Sequence, residues 1–251
     1  MRNILGYEGR KIVITGAASG MGEAAARLLA QLGAEVYALD VAEVKAPVAK
    51  SIRTDMKSRA SIDTALALLP AEIYALFNCA GVPHLTEALL PRIGKGGAIA
   101  SIASTAGMGW KGNLELVRKF LALEGFDAAE AWLKDSPELN ADAYGFSKQC
   151  LIVYTMTRAG ELAKRDIRIN CISPSPTSTA FMDQLTQQVP ADAIKLFCPS
   201  NGRFAEPAEM GEPLVLLNSR LAGFVSGLNL PVDYGYSAEV AMGQRDNLMG
   251  I

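Results

Sequence analysis

A tyrosine and a lysine stand four residues apart, Tyr144 and Lys148, in the stretch Asp142–Ala163, whose apolar pattern predicts a long helix. Side chains with this spacing share one helix face. A phenol has a pKa of about 10, and a neighbouring ammonium group favours its ionised form, so such a tyrosine can exchange protons near neutral pH. Tyr7 and Lys11 have the same spacing but precede a strand. Tyr144 is therefore the candidate acid–base residue.

A glycine-rich segment carries the second chemical signal. Thr15–Gly22, with the sequence TGAASGMG, follows a predicted strand and opens into an amphipathic helix. Glycines there let the backbone approach a pyrophosphate, whose charge the helix N-terminal amides meet. Asp40, 18 residues after Gly22, can accept hydrogen bonds from ribose hydroxyls and would repel a 2′-phosphate. The sequence predicts NAD rather than NADP; the alternative is a structural turn capped by Asp40.

Short apolar segments alternate with helical patterns along the chain. Strands are predicted at Ile12–Thr15, Val36–Asp40, Ala75–Asn78, Ile99–Ala103, Ile167–Ser173 and Leu228–Val232. Apolar strands separated by helices are typical of a parallel sheet that is covered on both faces. The predicted fold class is α/β, a Rossmann-like, doubly wound parallel sheet in a single domain spanning residues 1–251. Ser104 directly follows the predicted strand Ile99–Ala103, so its side chain is expected at the carboxyl edge of the sheet, near Tyr144 and the glycine-rich segment.

One crossover is unusually short. Only 16 residues separate Gly81 from Ala98, where a strand is expected, and the helical pattern covers only Leu85 to Ile93. A crossover between parallel strands needs about a dozen residues or more including its helix. The segment resembles the second half of a helix. Either the chain has a deletion, or residues are missing between about Gly81 and Leu85, and we favour the second interpretation.

The composition excludes several classes of function. With 24 Lys and Arg against 26 Asp and Glu, the net charge of −2 argues against binding to nucleic acid or an anionic membrane. The single histidine, His84, and four scattered cysteines argue against a metal site or a disulfide framework. We expect no metal. The first residues show no apolar core of signal-peptide length, which favours a cytoplasmic protein.

Together these motifs resemble those of the short-chain dehydrogenases/reductases over essentially the whole chain. The motifs, in order, are Thr15–Gly22, Asp55, Asn78-Cys79-Ala80-Gly81, Ser104-Thr105-Ala106-Gly107, Tyr144-x-x-x-Lys148 and Arg168-Ile169-Asn170. The resemblance implies that Tyr144 is the general acid–base, that Ser104 orients the substrate oxygen, and that Lys148 binds the nicotinamide ribose and lowers the pKa of Tyr144. In the oxidation direction, Tyr144 would take the hydroxyl proton while hydride passes to the nicotinamide.

The resemblance also implies a set of cofactor contacts. They are Gly16, Ser19, Gly20, Met21, Gly22, Asp40, Asp55, Met56, Asn78, Ala80, Gly81, Tyr144, Lys148, Pro174, Thr177 and Thr179. Three features depart from the family. Its fourth catalytic residue, a helix asparagine, has no counterpart here, since its place falls in the short crossover. Pro174-Ser175 and Asp233-Tyr234-Gly235 replace the usual Pro-Gly and Asp-Gly-Gly, which affects local loop shape rather than chemistry.

An insertion separates two of the proposed catalytic residues. Ser104 and Tyr144 lie 40 residues apart, much farther than in most of the family. The inserted segment, about 108–140, contains Trp110, Phe120, Phe126 and Trp132 and predicts helices at Asn113–Leu123 and Asp127–Asp135. One interpretation is a lid over the active site, with Trp110 forming the substrate pocket together with Ser104 and Tyr144. In the other, the aromatic residues pack the insertion on itself or form a subunit contact.

The insertion and the segments around it resemble the branch of 3α-hydroxysteroid dehydrogenase/carbonyl reductase and coniferyl-alcohol dehydrogenase. This implies an NAD(H)-dependent enzyme that interconverts a hydroxyl and a carbonyl on a steroid or an aromatic alcohol. Two alternatives stay open: a nucleotide-sugar epimerase or dehydratase, and a non-catalytic NAD-binding regulator. The resemblance further implies a homo-oligomer, a tetramer or dimer, in which long helices pair across two-fold axes. The predicted helix Asp142–Ala163 carries residues that could form such a contact or could equally belong to the core: Leu151, Ile152, Tyr154 and Thr155.

Overall fold

A computed structural model of the chain describes residues 4–81, 83–136, 139, 142–188, 194–248 and 250. Seven parallel strands form one sheet in the order β3-β2-β1-β4-β5-β6-β7. The strands are β1 Lys11–Thr15, β2 Glu35–Asp40, β3 Lys50–Arg53, β4 Ile73–Asn78, β5 Ile93–Ile102, β6 Arg168–Pro174 and β7 Asn229–Val232. This confirms the predicted α/β class. The order reverses between β1 and β4, where an open α/β sheet forms its ligand crevice.

Helices cover both faces of the sheet. They are α1 Gly20–Gln31, α2 Arg59–Leu68, α3 Pro83–Leu89, α4 Leu114–Leu121, α5 Phe126–Lys134, α6 Ala143–Ala163, α7 Ala180–Gln188, α8 Pro207–Asn218 and α9 Tyr236–Ala241. Short 3₁₀ helices occur at Leu90–Arg92, Thr105–Lys111 and Arg220–Ala222. None of the helices in the described ranges is long and apolar enough to cross a bilayer.

Alternate residues of β1 belong to different halves of the core. Ile12 and Ile14 pack with Leu29 of α1 and Leu214 of α8, whereas Val13 belongs to the cluster on the opposite face, with α2 and α3. Successive strand side chains point to opposite faces, so a strand buried on both sides must be apolar throughout. This burial explains the continuous apolar runs in the sequence.

The sequence prediction missed β3. Within Lys50–Arg53 only Ile52 is buried, because this strand lies at the edge of the sheet and pairs with β2 alone. A single buried residue leaves no alternating pattern to detect. The strand adds an edge to the sheet next to β2, which carries Asp40, but its sequence shows no run of apolar residues.

The short crossover is accommodated by a short helix and an early strand. The seven-residue α3 runs directly into the 3₁₀ turn Leu90–Arg92, and β5 begins at Ile93, where it pairs with Ile73 before a register shift. The strand thus starts earlier than the expected Ile99. The predicted break lies between about Gly81 and Leu85, and within this stretch Val82 lies outside the described residues.

The apolar residues of α6 that were considered for subunit contacts belong to the core. Leu151, Ile152 and Thr155 are buried, and the hydroxyl of Tyr154 donates a hydrogen bond to Glu87. These side chains therefore give no support to the predicted homo-oligomer, which stays a prediction.

Candidate active site

A cavity of about 850 Å³ opens at the carboxyl edge of the sheet. Many of the residues singled out in the sequence line it. They are Gly16, Ser19, Gly20, Met21, Gly22, Asp40, Ala80, Ser104, Tyr144, Lys148, Pro174, Thr177 and Thr179. The structure thus brings the glycine-rich loop and the tyrosine–lysine pair to one crevice, as the rule for parallel sheets requires.

The glycine-rich loop is tightly packed against the start of α1. A Cβ atom at Gly22 would lie 2.0 Å from the Gly16 carbonyl oxygen, so only glycine fits there. Thr15 fixes the neighbouring loop: its hydroxyl donates to the Ala80 carbonyl at 2.6 Å and accepts from the amides of Cys79 and Ala80. The loop and the α1 N-terminus are held where a pyrophosphate can approach the backbone.

Replacing Gly22 by alanine is expected to reshape this loop, because the clash is with backbone and no side chain can move aside. We predict that Gly22→Ala weakens NADH binding at least about tenfold. A change of this size corresponds to the loss of one charge-assisted hydrogen bond between the loop and the pyrophosphate. Fluorescence titration with NADH measures this effect. Gly94→Ala is the control, since no atom lies within 4 Å of a Cβ at Gly94 and its backbone is not in the left-handed region. Equal NADH affinity in the Gly22 variant and the wild type would contradict the role of this loop.

Asp40 ends β2 and lines the cavity. Its carboxylate is fixed by two backbone amides: Oδ2 accepts from Ala18 and Oδ1 from Ala42, each at 2.9 Å. The flanking residues, Leu39 and Val41, bring no positive charge. An anchored carboxylate at this edge fits the ribose hydroxyls of an adenosine and disfavours a phosphate on the same sugar.

Ser104, Tyr144 and Lys148 meet at one end of the cavity. Ser104 is the N-cap of the 3₁₀ helix after β5, where its hydroxyl accepts a hydrogen bond from the Ala106 amide at 3.2 Å. Tyr144 is 46% exposed, and the neighbouring Ser104 side chain acts on its pKa. The Lys148 ammonium lies 5.4 Å from the centre of the Tyr144 ring and donates to the Ile102 carbonyl at 3.0 Å.

The pKa values of this pair shift toward the neutral forms. Burial raises the pKa of Tyr144 above its usual value, and the neighbouring Ser104 side chain opposes this effect. Burial lowers the pKa of Lys148 to about 8. The direction for Tyr144 is opposite to the one expected from the resemblance. The reason is that burial outweighs the opposing interaction with Ser104, while the Lys148 ammonium is directed to the Ile102 carbonyl of β5.

Four of the predicted cofactor contacts do not line the cavity: Asp55, Met56, Asn78 and Gly81. Asn78 is 1% exposed and donates hydrogen bonds to Thr86 and Ser101, so it ties β4 to α3 and β5 beneath the crevice. Asp55 caps its own turn by accepting from the Lys57 amide. Met56 packs against Gly81. These side chains shape the edge of the crevice from outside it.

Trp110, which is predicted to form part of the substrate pocket, is not among the residues that line the cavity. It packs against buried residues of α6. The other aromatic residues of the insertion form a cluster on the same helix: Phe120 lies 5.4 Å from Trp132 and 5.5 Å from Phe146, measured between ring centres. In its described residues the insertion therefore packs on itself and on α6, as the alternative interpretation held.

The apolar wall of the cavity comes instead from segments after β6. Its residues are Phe181, Met182, Ile194, Phe197 and Leu248. The Phe181 ring stacks on the Tyr144 ring with centres 5.8 Å apart. The sequence analysis missed this wall, although these apolar residues follow the carboxyl end of a predicted strand, a signal that points to the same edge of the sheet.

Comparisons with known proteins agree with this geometry. Two family models match the chain: one described as short chain dehydrogenase, over residues 10–82, and one described as Enoyl-(Acyl carrier protein) reductase, over residues 133–237. Coniferyl-alcohol dehydrogenase from Pseudomonas sp. strain HR199 is 30% identical over 91% of this chain and 97% of the relative. The 3-alpha-hydroxysteroid dehydrogenase/carbonyl reductase of Comamonas testosteroni is 28% identical over 90% and 96%.

A solved structure gives a similar result. The 3-alpha-hydroxysteroid dehydrogenase from Pseudomonas sp. B-0831, determined in complex with NADH, superposes with a TM-score of 0.76 and 26% identity. The alignment covers 92% of this chain and 98% of that one. The likeness therefore extends over most of the chain.

Proposed function

The chain belongs to the short-chain dehydrogenase/reductase family, and from that premise we propose that it is an NAD(H)-dependent oxidoreductase that interconverts a hydroxyl and a carbonyl group on a bulky apolar substrate. The observation that carries the proposal is the shared crevice: Tyr144 and Ser104 line the same cavity as the glycine-rich loop and Asp40.

The residues of the crevice fit an NAD molecule in order along its length. The close approach of Gly22 to Gly16 leaves room for a pyrophosphate beside the α1 N-terminus. Asp40 would accept hydrogen bonds from the adenosine ribose, and Thr179 and Pro174 line the other end of the cavity. When bound, NAD supplies the hydride acceptor or donor.

The protein's own groups would position the substrate and move its proton. Ser104 would hold the substrate oxygen beside the Tyr144 phenol. Tyr144 would take the hydroxyl proton during oxidation and return it during reduction. Lys148 would donate hydrogen bonds to the nicotinamide ribose, and its positive charge would stabilise the phenolate of Tyr144.

The substrate class follows from the apolar wall. Phe181 and Phe197 present aromatic rings to the cavity, and an apolar ring system of a substrate would bury its surface against them. The relatives are named for coniferyl alcohol and for 3α-hydroxysteroids. We propose an aromatic alcohol or a steroid, with the oxygen at Tyr144 and the rings toward Phe181.

A coupled activity screen tests this proposal. Steroids and aromatic alcohols are offered with NAD and with NADP in parallel, and NADH formation is followed by absorbance. We expect turnover with NAD. Tight NADH binding without turnover on any compound would favour a non-catalytic regulator. Conversion of a nucleotide sugar without net NADH would favour an epimerase.

The pKa of Lys148 predicts a pH dependence. Because burial lowers this pKa to about 8, the ammonium form is present below about pH 8 and is lost above it. The value of kcat/KM for NAD is expected to fall above that point, approaching tenfold per pH unit, as the positive charge that holds the phenolate disappears. In Lys148→Arg, whose guanidinium stays charged, this alkaline limb should vanish. An unchanged alkaline limb in the arginine variant would assign it to another group.

A further inference from the structure

One arginine joins the segment after α9 to the segment that follows α7. Arg245 donates through Nη1 to the carbonyl oxygens of Cys198 at 2.6 Å and Leu196 at 3.2 Å, and through Nη2 to the Ser200 hydroxyl at 3.2 Å. On its own side, Nε lies 3.0 Å from a Glu239 carboxylate oxygen. The guanidinium also lies over the Tyr236 ring, 4.8 Å from its centre.

The surroundings of Arg245 make these bonds persistent. The side chains of Arg245 and Glu239 are 23% and 22% exposed, so water screens the pair less than at a fully exposed site. The planar guanidinium uses its fork of donors on several acceptors at once, which an ammonium group cannot do. Arg245 therefore holds 196–200 and 244–248 at a fixed distance.

Both of these segments carry side chains that line the active-site cavity. Phe197 lies between two of the residues that Arg245 binds, and Leu248 follows Arg245 by three residues. Leu248 is an apolar side chain at the mouth of the cavity and is 53% exposed. Beyond it, a Cβ at Gly250 would lie 3.7 Å from the Cα of Gly109, in the 3₁₀ helix that follows Ser104. Arg245 and Leu248 thus place one contact to the 196–200 segment and one cavity-lining side chain on the same short segment.

We propose that Arg245 is a positioning residue that holds Phe197 and Leu248 together as one apolar wall, and that this wall gives the enzyme its preference for substrates with large apolar ring systems. The inference rests on the proposed oxidoreductase function and adds the element that selects the substrate. A substrate small enough to reach only Ser104 and Tyr144 does not touch this wall, whereas a steroid or a long aromatic alcohol does.

The first test compares Arg245→Gln and Leu248→Ala with the wild type. Using a steroid alcohol as the bulky substrate and cyclohexanol as the small one, we expect KM for the steroid to rise about tenfold in both variants, equivalent to the loss of a few buried methylene contacts. In Arg245→Gln, whose side chain does not line the cavity, the kcat for cyclohexanol and the Kd for NADH should stay within about twofold, since such variation is below the size of one lost contact. Arg245→Lys should recover only part of the effect, because lysine lacks the fork of donors.

Arg92→Gln is the matched control. The Arg92 guanidinium also donates to backbone carbonyls, those of Leu66, Leu69 and Pro70, and it precedes β5, at the end of the sheet opposite the cavity. Its loss should lower Tm in a way similar to the loss of Arg245 while leaving KM for the steroid unchanged. If both arginine variants raise this KM equally, the effect is general destabilisation and the proposal is wrong.

A second readout needs no turnover. The amides of Phe197 and Cys198 donate to the carbonyls of Ile194 and Lys195 in a turn that Arg245 holds. In Arg245→Gln the hydrogen exchange of these two amides should become at least about tenfold faster, because the turn opens more often without the arginine. In Arg92→Gln their exchange should stay unchanged. Calorimetric binding of the same steroid in the presence of NADH should weaken in parallel. Unchanged exchange and unchanged steroid affinity would overturn the inference, whereas steroid binding without any turnover would overturn the proposed reaction alone.

Discussion

Tyr144→Phe is expected to lower kcat by at least about a hundredfold and up to ten-thousandfold, the range for removing a positioned acid–base group. The variant removes one oxygen atom from a side chain that is 46% exposed and stacked on Phe181, so the ring stays in place while the proton acceptor is lost. The Kd for NADH should change no more than about twofold, because the lost hydroxyl neighbours Ser104 rather than the glycine-rich loop. Steady-state kinetics and NADH fluorescence titration measure both quantities.

Tyr7→Phe is the matched control for this experiment. Tyr7 also precedes a lysine by four residues, but its side chain is fully buried and its hydroxyl donates to the Val215 carbonyl. Removing that hydroxyl leaves a buried acceptor without its partner, which costs about 1–3 kcal/mol of stability. The control should therefore unfold at a lower temperature and keep its kcat. Substantial turnover by Tyr144→Phe, or an equal loss in Tyr7→Phe, would remove the assignment of Tyr144.

Much of the fold was predictable because its signals are local. The apolar strand β1, the glycine-rich loop and the amphipathic α1 follow one another directly, so each one supports the others. The edge strand β3 carries only Ile52 as a buried residue and could not be found by pattern. The position of a side chain that directly follows a strand is set by the topology, which explains why Ser104 lines the cavity at the carboxyl edge of the sheet.

The contacts of the inserted segment depend on tertiary packing. The insertion must emerge beside the crevice, yet Trp110 and the neighbouring aromatic residues pack against the apolar surface that α6 forms around Phe146. The same limit applies to the pKa of Tyr144. Its direction depends on how much water reaches the ring and on where the Lys148 ammonium is directed, and neither follows from a spacing of four residues.

The second large effect concerns the choice of cofactor at Asp40. Asp40→Ser removes a carboxylate that lines the cavity and keeps a small polar side chain. We expect the preference for NAD over NADP, measured as the ratio of kcat/KM values, to fall about 10- to 100-fold. Hydrogen bonds to a charged group are worth about 1.5–3 kcal/mol, and these would be lost for the ribose of NAD. The repulsion of a 2′-phosphate would disappear at the same time.

Asp40→Asn separates these two effects. The amide oxygen can still accept a hydrogen bond from the Ala18 or the Ala42 amide, so the local turn is kept while the charge is removed. If repulsion of the 2′-phosphate dominates, the asparagine variant gains activity with NADP and loses little activity with NAD. If the hydrogen bonds to the ribose dominate, the variant loses activity with NAD and gains little activity with NADP. Asp55→Asn, at an exposed carboxylate outside the cavity, should change neither value. An unaltered cofactor ratio in both Asp40 variants would mean that the carboxylate serves only to cap β2 through the Ala18 and Ala42 amides, since those are the contacts it makes within the protein.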